Sequence, residues 1–455
     1  MYKLLLLVKD KLGIDKAIAY SSGARIIQAF TGVISIFFIA TFLSGEEQGF
    51  YYTFGSLLAM QVFFELGLTS IITQYVAHEA AHLKISINGT IEGEQKYRSR
   101  LASLIHFSAK WYGVIALLFL FIIIITGIIF FNKYYTNNTG INWLIPWVLI
   151  CVSSAIKLFQ SPFSSILTGL GKVKEMSKIG FYQQIILPLS SWIGLYLGLK
   201  LYVVGISYLL SVLIWNVYIL VTGQQKILLN LWKEKLTEKI SYMKEIFPYQ
   251  WRIALSWISG YFIFQLFNPV LFATEGAAVA GKMGMTLTVL NSIQALSLNW
   301  LNTKIPLYSR LIALKDYVQL DKIFNQTLKQ MTTVCLILLS IMLLGICFLR
   351  TFKIGFGDNL LGDRFLDYIP MILMMIPVFI NQFVSSWATY LRCHKQEPFL
   401  VNSICAGIAC CLSTIILGKY FGLYGITIGY CMITLAFMPW GYWIYKTKKN
   451  EWHGK

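Results

Sequence analysis

Five cations and one carboxylate stand inside stretches of chain that are otherwise apolar. Arg25, Lys110, Lys157, Arg252 and Lys282 interrupt long hydrophobic blocks, and Glu65 is the single acid at comparable depth. A cation near the middle of a membrane span costs at least ~2.5–3.5 kcal/mol on insertion scales, so it is kept only where water, a counter-ion or a ligand compensates. Lys110 is close enough to the end of its block to snorkel to the surface, and Arg252 can partly do the same. Arg25 lies ~12 Å and Glu65 ~15 Å into neighbouring blocks at 1.5 Å per residue, so an Arg25–Glu65 ion pair is one reading of the first two spans. Lys157 sits in mid-block among Val152, Ile156, Leu158 and Phe159, and Lys282 lies ~9 Å below a block end. Neither has an acid in any span left to pair with. Such an excess of positive charge points to a water-filled interior prepared for an anion. Arg25, Lys157, Arg252 and Lys282 are therefore the candidate anion-binding residues. Glu65 is the candidate for coupling to Na⁺ or H⁺. Gln28, Gln61, Gln160, Asn291 and Gln294 are the supporting polar groups, although for any one of them taken singly interhelical glue is the favoured reading. Asn291 and Gln294, three apart, share a helix face.

The elements that must hold these groups are membrane helices. Of 455 residues 57% are hydrophobic and 13% charged. Apolar blocks long enough to cross a bilayer recur near 17–43, 52–75, 105–131, 143–168, 179–199, 203–223, 249–272, 276–303, 331–350, 366–391, 399–418 and 423–445. Lys and Arg in the connecting segments divide 27 against 6 between alternate sides. By the positive-inside rule this predicts twelve spans with both termini cytoplasmic. The fold class expected is an all-α polytopic membrane protein made of two six-helix bundles. Residues 1–223 form the first lobe, 224–248 a cytoplasmic linker and 249–455 the second lobe. Glu46-Glu47-Gln48-Gly49 opening the second span and Thr274-Glu275-Gly276 opening the eighth are the echo between halves. Transporters built from such repeats place substrate between the bundles. The inner stretches 76–104, 224–248 and 304–330 mix charge with apolar residues and are expected to lie as helices on the cytoplasmic face. Leu4–Val8 is too short an apolar run, with no small-residue cleavage site after it, for a secretory signal.

Several function classes are excluded on composition. The net charge of +18 resides in cytoplasmic segments beside apolar spans, so anionic lipid headgroups are the expected partner rather than nucleic acid. The eight cysteines lie in or beside spans and read as small packing residues, not a disulfide frame or metal site. His78, His82, His106, His394 and His453 gather at the inner boundary in neither a catalytic pair nor a metal site. The run Gly276 to Lys282 has phosphate-loop spacing, but Met283 stands where Ser or Thr is required. No cofactor and no enzyme activity are expected.

A resemblance sharpens this. An arginine inside the first span (Arg25), the turn Gly45-Glu46-Glu47-Gln48-Gly49-Phe50-Tyr51-Tyr52, the second span ending Glu65-Leu66-Gly67-Leu68 and Gln74-Tyr75-Val76-Ala77, and Gly169-Leu170-Gly171-Lys172 after the fourth span resemble O-antigen and capsule flippases. These form the polysaccharide-transport branch of the multidrug/oligosaccharidyl-lipid/polysaccharide exporter superfamily. Cys393-His394-Lys395 after the tenth span departs from that pattern. The resemblance implies a MATE-like exporter fold with a cationic central cavity. Its substrate would be an undecaprenyl-diphosphate-linked oligosaccharide, carried across the bacterial inner membrane by alternating access. It also implies a multi-pass protein acting as a monomer, with other polysaccharide-assembly proteins as contacts. Arg25 and Arg252 fall where related lipid flippases carry arginines. The alternatives are a multidrug exporter and a lipid II-type precursor exporter of the same superfamily. The first would need intramembrane acids for cationic drugs, and the second often has two further spans.

Overall fold

The computed structural model describes residues 27, 31–32, 34–85, 89–135, 140–238, 240–356, 359–394 and 396–453. Arg25 and Gln28 lie outside the described residues, and with them the expected Arg25–Glu65 pair. Residues 34–42 are helical and lead to a capping box. The Glu47 N–H donates to Ser44 Oγ at 3.1 Å while the Ser44 N–H donates to Glu47 Oε2 at 2.8 Å. This satisfies two of the orphan donors at the start of α1 (Gly45–Leu58). A 3₁₀ turn at Ala59–Gln61 leads to α2 (Val62–Glu65). Leu66 and Gly67 then both adopt positive φ, 50° and 69°, before α3 (Leu68–Ala80). The bend across this break is 45°. Leu66 has a Cβ, so its left-handed conformation costs ~1–2 kcal/mol that the surrounding packing must overcome.

A hairpin of β1 (Leu83–Ile85) and β2 (Ile91–Gly93) follows, where a surface helix was expected over 76–104. Beyond it run α4 (Gln95–Tyr134), α5 (Leu144–Gly169), α6 (Val173–Tyr196), α7 (Tyr202–Val221) and α8 (Gln224–Lys233). The second half consists of α9 (Phe247–Phe264), α10 (Phe267–Glu275), α11 (Ala277–Asn302), α12 (Ile305–Ala313) and α13 (Tyr317–Thr351). A short hairpin of β3 (Gly355–Phe356) and β4 (Asn359–Leu360), then α14 (Tyr368–Arg392) and α15 (Leu400–His453), complete it. Gly422, at φ 55° and ψ −134°, breaks α15 in two, which separates the last two apolar blocks. A Cβ there would meet Glu275 Oε1, and that carboxylate accepts the Leu423 N–H at 2.6 Å, capping the resumed helix.

The long helices expose the faces that a soluble protein would bury. Val114, Leu117, Phe121, Ile125 and Ile129 stand exposed at three- and four-residue spacing along α4. Leu336, Ile337, Ile341, Leu344 and Phe348 do the same on α13. Apolar stripes of this size need an apolar solvent, so the chain is a multi-pass membrane protein. Among the described residues seven helices are long and apolar enough to cross a membrane, eight with the bent pair α1–α3. The twelve blocks of the sequence are accommodated differently. The first falls largely outside the described residues, and two share α15. In α6 and α11, polar residues such as Gln183, Gln184, Asn291 and Gln294 dilute the hydropathy.

The chain divides into two compact units. The first comprises Met1–Ser35, Met60–Phe130 and Asn142–Ala254. The second comprises Ile36–Ala59, Phe131–Ile141 and Leu255–Lys455. This partition follows packing, whereas the lobes read from the sequence follow span number. In the first unit, α7 packs on α5 and α6, and α5 on α3. Its inner end is tied by Arg100, which donates from Nε to Glu79 at 2.9 Å and from Nη2 to Glu245 at 2.7 Å. Ser99 Oγ donates to the Glu238 carbonyl and accepts the Thr237 N–H, binding the linker to α4. Burial alone would raise the Glu245 carboxyl, but the Ser241 N–H and Arg100 outweigh it and hold its pKa below the usual range. In the second unit a buried aromatic core of Tyr308, Phe324, Tyr390 and Tyr445 joins α12–α15.

Candidate functional site

Lys157 lies on a seam between α5 and α7. Ser153 Oγ approaches the Gly205 carbonyl at 3.4 Å, and Gln160 Nε2 donates to the Val212 carbonyl at 3.3 Å. Trp215 Nε1 donates to Ser164 Oγ at 2.8 Å. Positions 153, 157, 160 and 164 of α5 thus meet 205, 208, 212 and 215 of α7 in heptad-like register. Gly205 permits the approach, since a Cβ there would sit 2.5 Å from Leu149 Cβ. Lys157 Nζ stands 5.4 Å from the centroid of the Tyr208 ring. The side chain is exposed, yet protein atoms surround it densely. That combination marks a concave setting. A cation–π contact at an exposed site contributes ~0.5–1 kcal/mol, less than the ~2.5–3.5 kcal/mol insertion cost. Hydration or an anionic ligand must supply the rest, because no carboxylate pairs with Lys157 among the described residues.

Glu65 ends α2 at the Leu66–Gly67 break, half-buried, and accepts from Thr69 Oγ1 at 2.5 Å, with Tyr112 of α4 nearby. A carboxylate beside an interrupted helix, where carbonyls leave the i→i−4 ladder, is a chemically suitable place for a small cation or a proton. Gln61 occupies the 3₁₀ turn before α2.

In the second unit Lys282 is half-buried on α11, and no carboxylate pairs with it among the described residues. It adjoins a close helix contact that the sequence did not disclose. A Cβ on Gly49 of α1 would fall 1.9 Å from the Ala277 carbonyl oxygen. One on Gly281 would fall 2.9 Å from the Gly45 oxygen, and one on Gly284 2.3 Å from the Tyr52 side chain. Gln48, 1% exposed, donates from Nε2 to the Gly281 carbonyl at 2.7 Å and to the Arg364 carbonyl at 3.2 Å. Arg364, 7% exposed, donates to the Leu43 carbonyl at 2.8 Å. Burial lowers the pKa of Arg364, and the nearby Glu47 carboxylate opposes that shift. The Glu46–Gly49 motif thus seats α1 tightly against α11.

The remaining candidates are scattered. Gln160 is committed to the α5–α7 seam, Asn291 is exposed, and Gln294 lines a cavity in the second unit. Arg252 lies on α9; its side chain is outside the described residues.

The histidines have a structural use that their spacing concealed. His82 stacks on Tyr97 at 4.2 Å, His106 on Trp232 at 3.9 Å and His453 on Tyr317 at 3.9 Å. His394 and His453 also meet Nε2 to Nε2 at 3.1 Å, with His394 Nδ1 3.2 Å from the Tyr390 carbonyl. The network assigns His394 Nε2 as acceptor and His453 Nε2–H as donor, so the contact requires the His394 ring neutral. Burial lowers both pKa values. Tyr390's carbonyl only partly offsets this for His394; for His453, Asp321 opposes the shift while His394 and Lys449 reinforce it. A histidine with a depressed folded pKa stabilises docking above its ordinary value near 6.5 and loses that contribution as pH falls below it. Protection factors across residues 446–453, taken after correction for the intrinsic pH dependence of amide exchange, are therefore expected to fall between pH 7 and 5, about tenfold for each unit by which the pKa is depressed. His453→Phe, which keeps the stack, should flatten that profile.

No family model matches this chain, and no curated protein matches it by sequence. Solved structures do. An inward-facing multidrug resistance MATE family transporter of the MOP superfamily is similar with a TM-score of 0.68 at 12% identity, over 96% of this chain and 99% of that one. The fold is that of the MATE transporters. An outward-facing structure of a MATE family transporter is similar at 0.54, with 13% identity over 97% of each chain. A mutant of a Vibrio cholerae MATE transporter gives 0.56 at 10% identity, covering 99% and 100%. At these identities the fold is held in common and individual residues are not carried across. A MATE-like transporter fold accounts for the exposed helical stripes and for the all-α architecture.

Proposed function

We propose that this chain is a flippase moving an undecaprenyl-diphosphate-linked oligosaccharide, an O-antigen or capsule repeat unit, across the bacterial inner membrane. The observation that carries the reading is Lys157, held on the α5–α7 seam without a carboxylate among the described residues. Lys282 repeats that condition in the second unit. Each unit then holds an ammonium suited to a phosphate group, and the cost of keeping such a charge in the membrane is met when an anion binds. Glu65, at the break of the second span, would take Na⁺ or H⁺ as the state changes.

A multidrug exporter is the second reading, favoured by the description of the similar transporter. Charge weighs against it, because organic cations need acids within the spans and the sequence has Glu65 alone. The deciding experiment is reconstitution in proteoliposomes with a fluorescent undecaprenyl-diphosphate oligosaccharide and, separately, a lipophilic cation. Ion-stimulated movement of the glycolipid is expected, and Glu65→Gln should remove the stimulation by an imposed Na⁺ or H⁺ gradient. Wild-type stimulation in that variant would reject the coupling role, and transport of the cation alone would reject the flippase reading.

A further inference from the structure

We propose that the second unit contains its own recognition pocket for uncharged, hydroxyl-rich groups, the sugar residues of a glycan. The site is a cavity of about 420 Å³ enclosed by α9, α11, α14 and α15. That volume lies within the ~300–1,000 Å³ typical of small-molecule sites.

The chemistry of its wall narrows the occupant. Amides converge from three helices: Gln294 from α11, Asn381 from α14 and Asn402 from α15. Asn381, Ser385 and Thr389 follow one another at four-residue intervals, so α14 presents a polar ladder along the cavity. Among the described residues the lining contains no Asp, Glu or Lys. Its one charged member, Arg392, is neutralised by Glu397, to which it donates three hydrogen bonds at 2.7–3.0 Å.

Each simpler ligand class conflicts with that wall. Among the described residues an organic cation finds no carboxylate, and a phosphate finds no free cation. An acyl chain would bury amides without partners, at about 1–3 kcal/mol for each unsatisfied group. A neutral polyol fits. Every amide offers a donor and an acceptor to neighbouring hydroxyls, and Phe264, Phe399 and Phe437 supply apolar surface for the C–H face of a sugar ring. Asn402 is 5% exposed, and its Nδ2 has no hydrogen-bond partner among the described residues. Asn381 Nδ2 donates to Tyr430 Oη at 3.2 Å, which fixes its orientation in the wall.

This pocket deepens the glycolipid reading and rests on it, but the two are separable by probe. Binding is measured on the full-length protein in nanodiscs by calorimetry with three ligands. These are the lipid-free oligosaccharide repeat released from the host's surface glycan, farnesyl diphosphate as a soluble headgroup analogue, and tetraphenylphosphonium. The oligosaccharide is expected to bind the wild type. In Asn402→Leu and Asn381→Leu its affinity relative to farnesyl diphosphate should fall about tenfold or more, the loss of one or two buried hydrogen bonds. Asn402→Asp, nearly isosteric, guards against misfolding and should show the same direction of change. Failure of the oligosaccharide to bind, an unchanged affinity ratio in the variants, or loss of tetraphenylphosphonium binding in their place would each overturn the pocket. Absence of farnesyl diphosphate binding alone would count instead against the diphosphate headgroup.

Discussion

Lys157→Gln is expected to reduce surface polysaccharide export to a few per cent of wild type while the amount of inserted protein stays level or rises. The two effects have opposite signs because they come from different terms. Neutralising the ammonium removes an insertion cost of ~2.5–3.5 kcal/mol and forfeits a cation–π contact with Tyr208 of ~0.5–1 kcal/mol, so the helix inserts more easily. A hydrogen bond from a charged group to a headgroup phosphate contributes ~1.5–3 kcal/mol, and its loss corresponds to roughly 10- to 150-fold in transport. Lys157→Arg retains the charge and should keep a measurable share of activity. The assay is complementation of an export-deficient host, with polymer quantified against membrane-bound protein by immunoblot. Wild-type polymer in Lys157→Gln would show that the ammonium serves only the α5–α7 seam. A membrane level that collapses would show the same, since a purely structural lysine would be missed in the fold.

What the sequence reveals here is whatever repeats or is priced locally. Apolar blocks and the distribution of Lys and Arg are periodic signals, and they foretold a polytopic helical protein. The isolation of Lys157 and Lys282 could be read because a charge in an apolar block is conspicuous wherever it occurs. The seam is visible in retrospect, as Ser153, Lys157, Gln160 and Ser164 mark every third or fourth position of one block. Other features leave no local trace. The break at Leu66 sets a leucine in a conformation that glycine ordinarily takes, so only packing could reveal it. The hairpin Leu83–Ile85/Ile91–Gly93 has strands too short for any alternation to register. Gly49 and Gly281 are unremarkable apart and become a helix contact only when α1 meets α11, 232 positions away. His394 and His453 likewise look unrelated until Tyr390 and Tyr445 bring α14 and α15 together.

The α1–α11 contact yields the second large effect, with Gly49→Val expected to abolish transport by forcing the two helices apart. Any Cβ at this position is placed 1.9 Å from the Ala277 carbonyl oxygen, against backbone that cannot rotate away. Real Cβ contacts stay beyond 3.0 Å, so the two helices must separate by more than an ångström, and the separation also draws Gln48 off the Gly281 and Arg364 carbonyls. Each carbonyl left without its donor costs about 1–3 kcal/mol while the contact stays dry. The balance therefore moves toward a state in which water reaches them. Gln48→Leu removes the same hydrogen bonds without adding bulk and should shift the balance less, by roughly one to two powers of ten. The readout is labelling of Lys282→Cys, in a cysteine-free background, by a membrane-impermeant maleimide added from outside. Labelling should be slow with the α1–α11 contact intact, faster with Gln48→Leu and fastest with Gly49→Val, while transport, measured separately with Lys282 retained, is expected to fall along the same series. Wild-type transport by Gly49→Val would mean that α1 and α11 never need to come this close during the cycle. Unchanged labelling in both variants would mean that the buried Gln48 holds helices together without governing access.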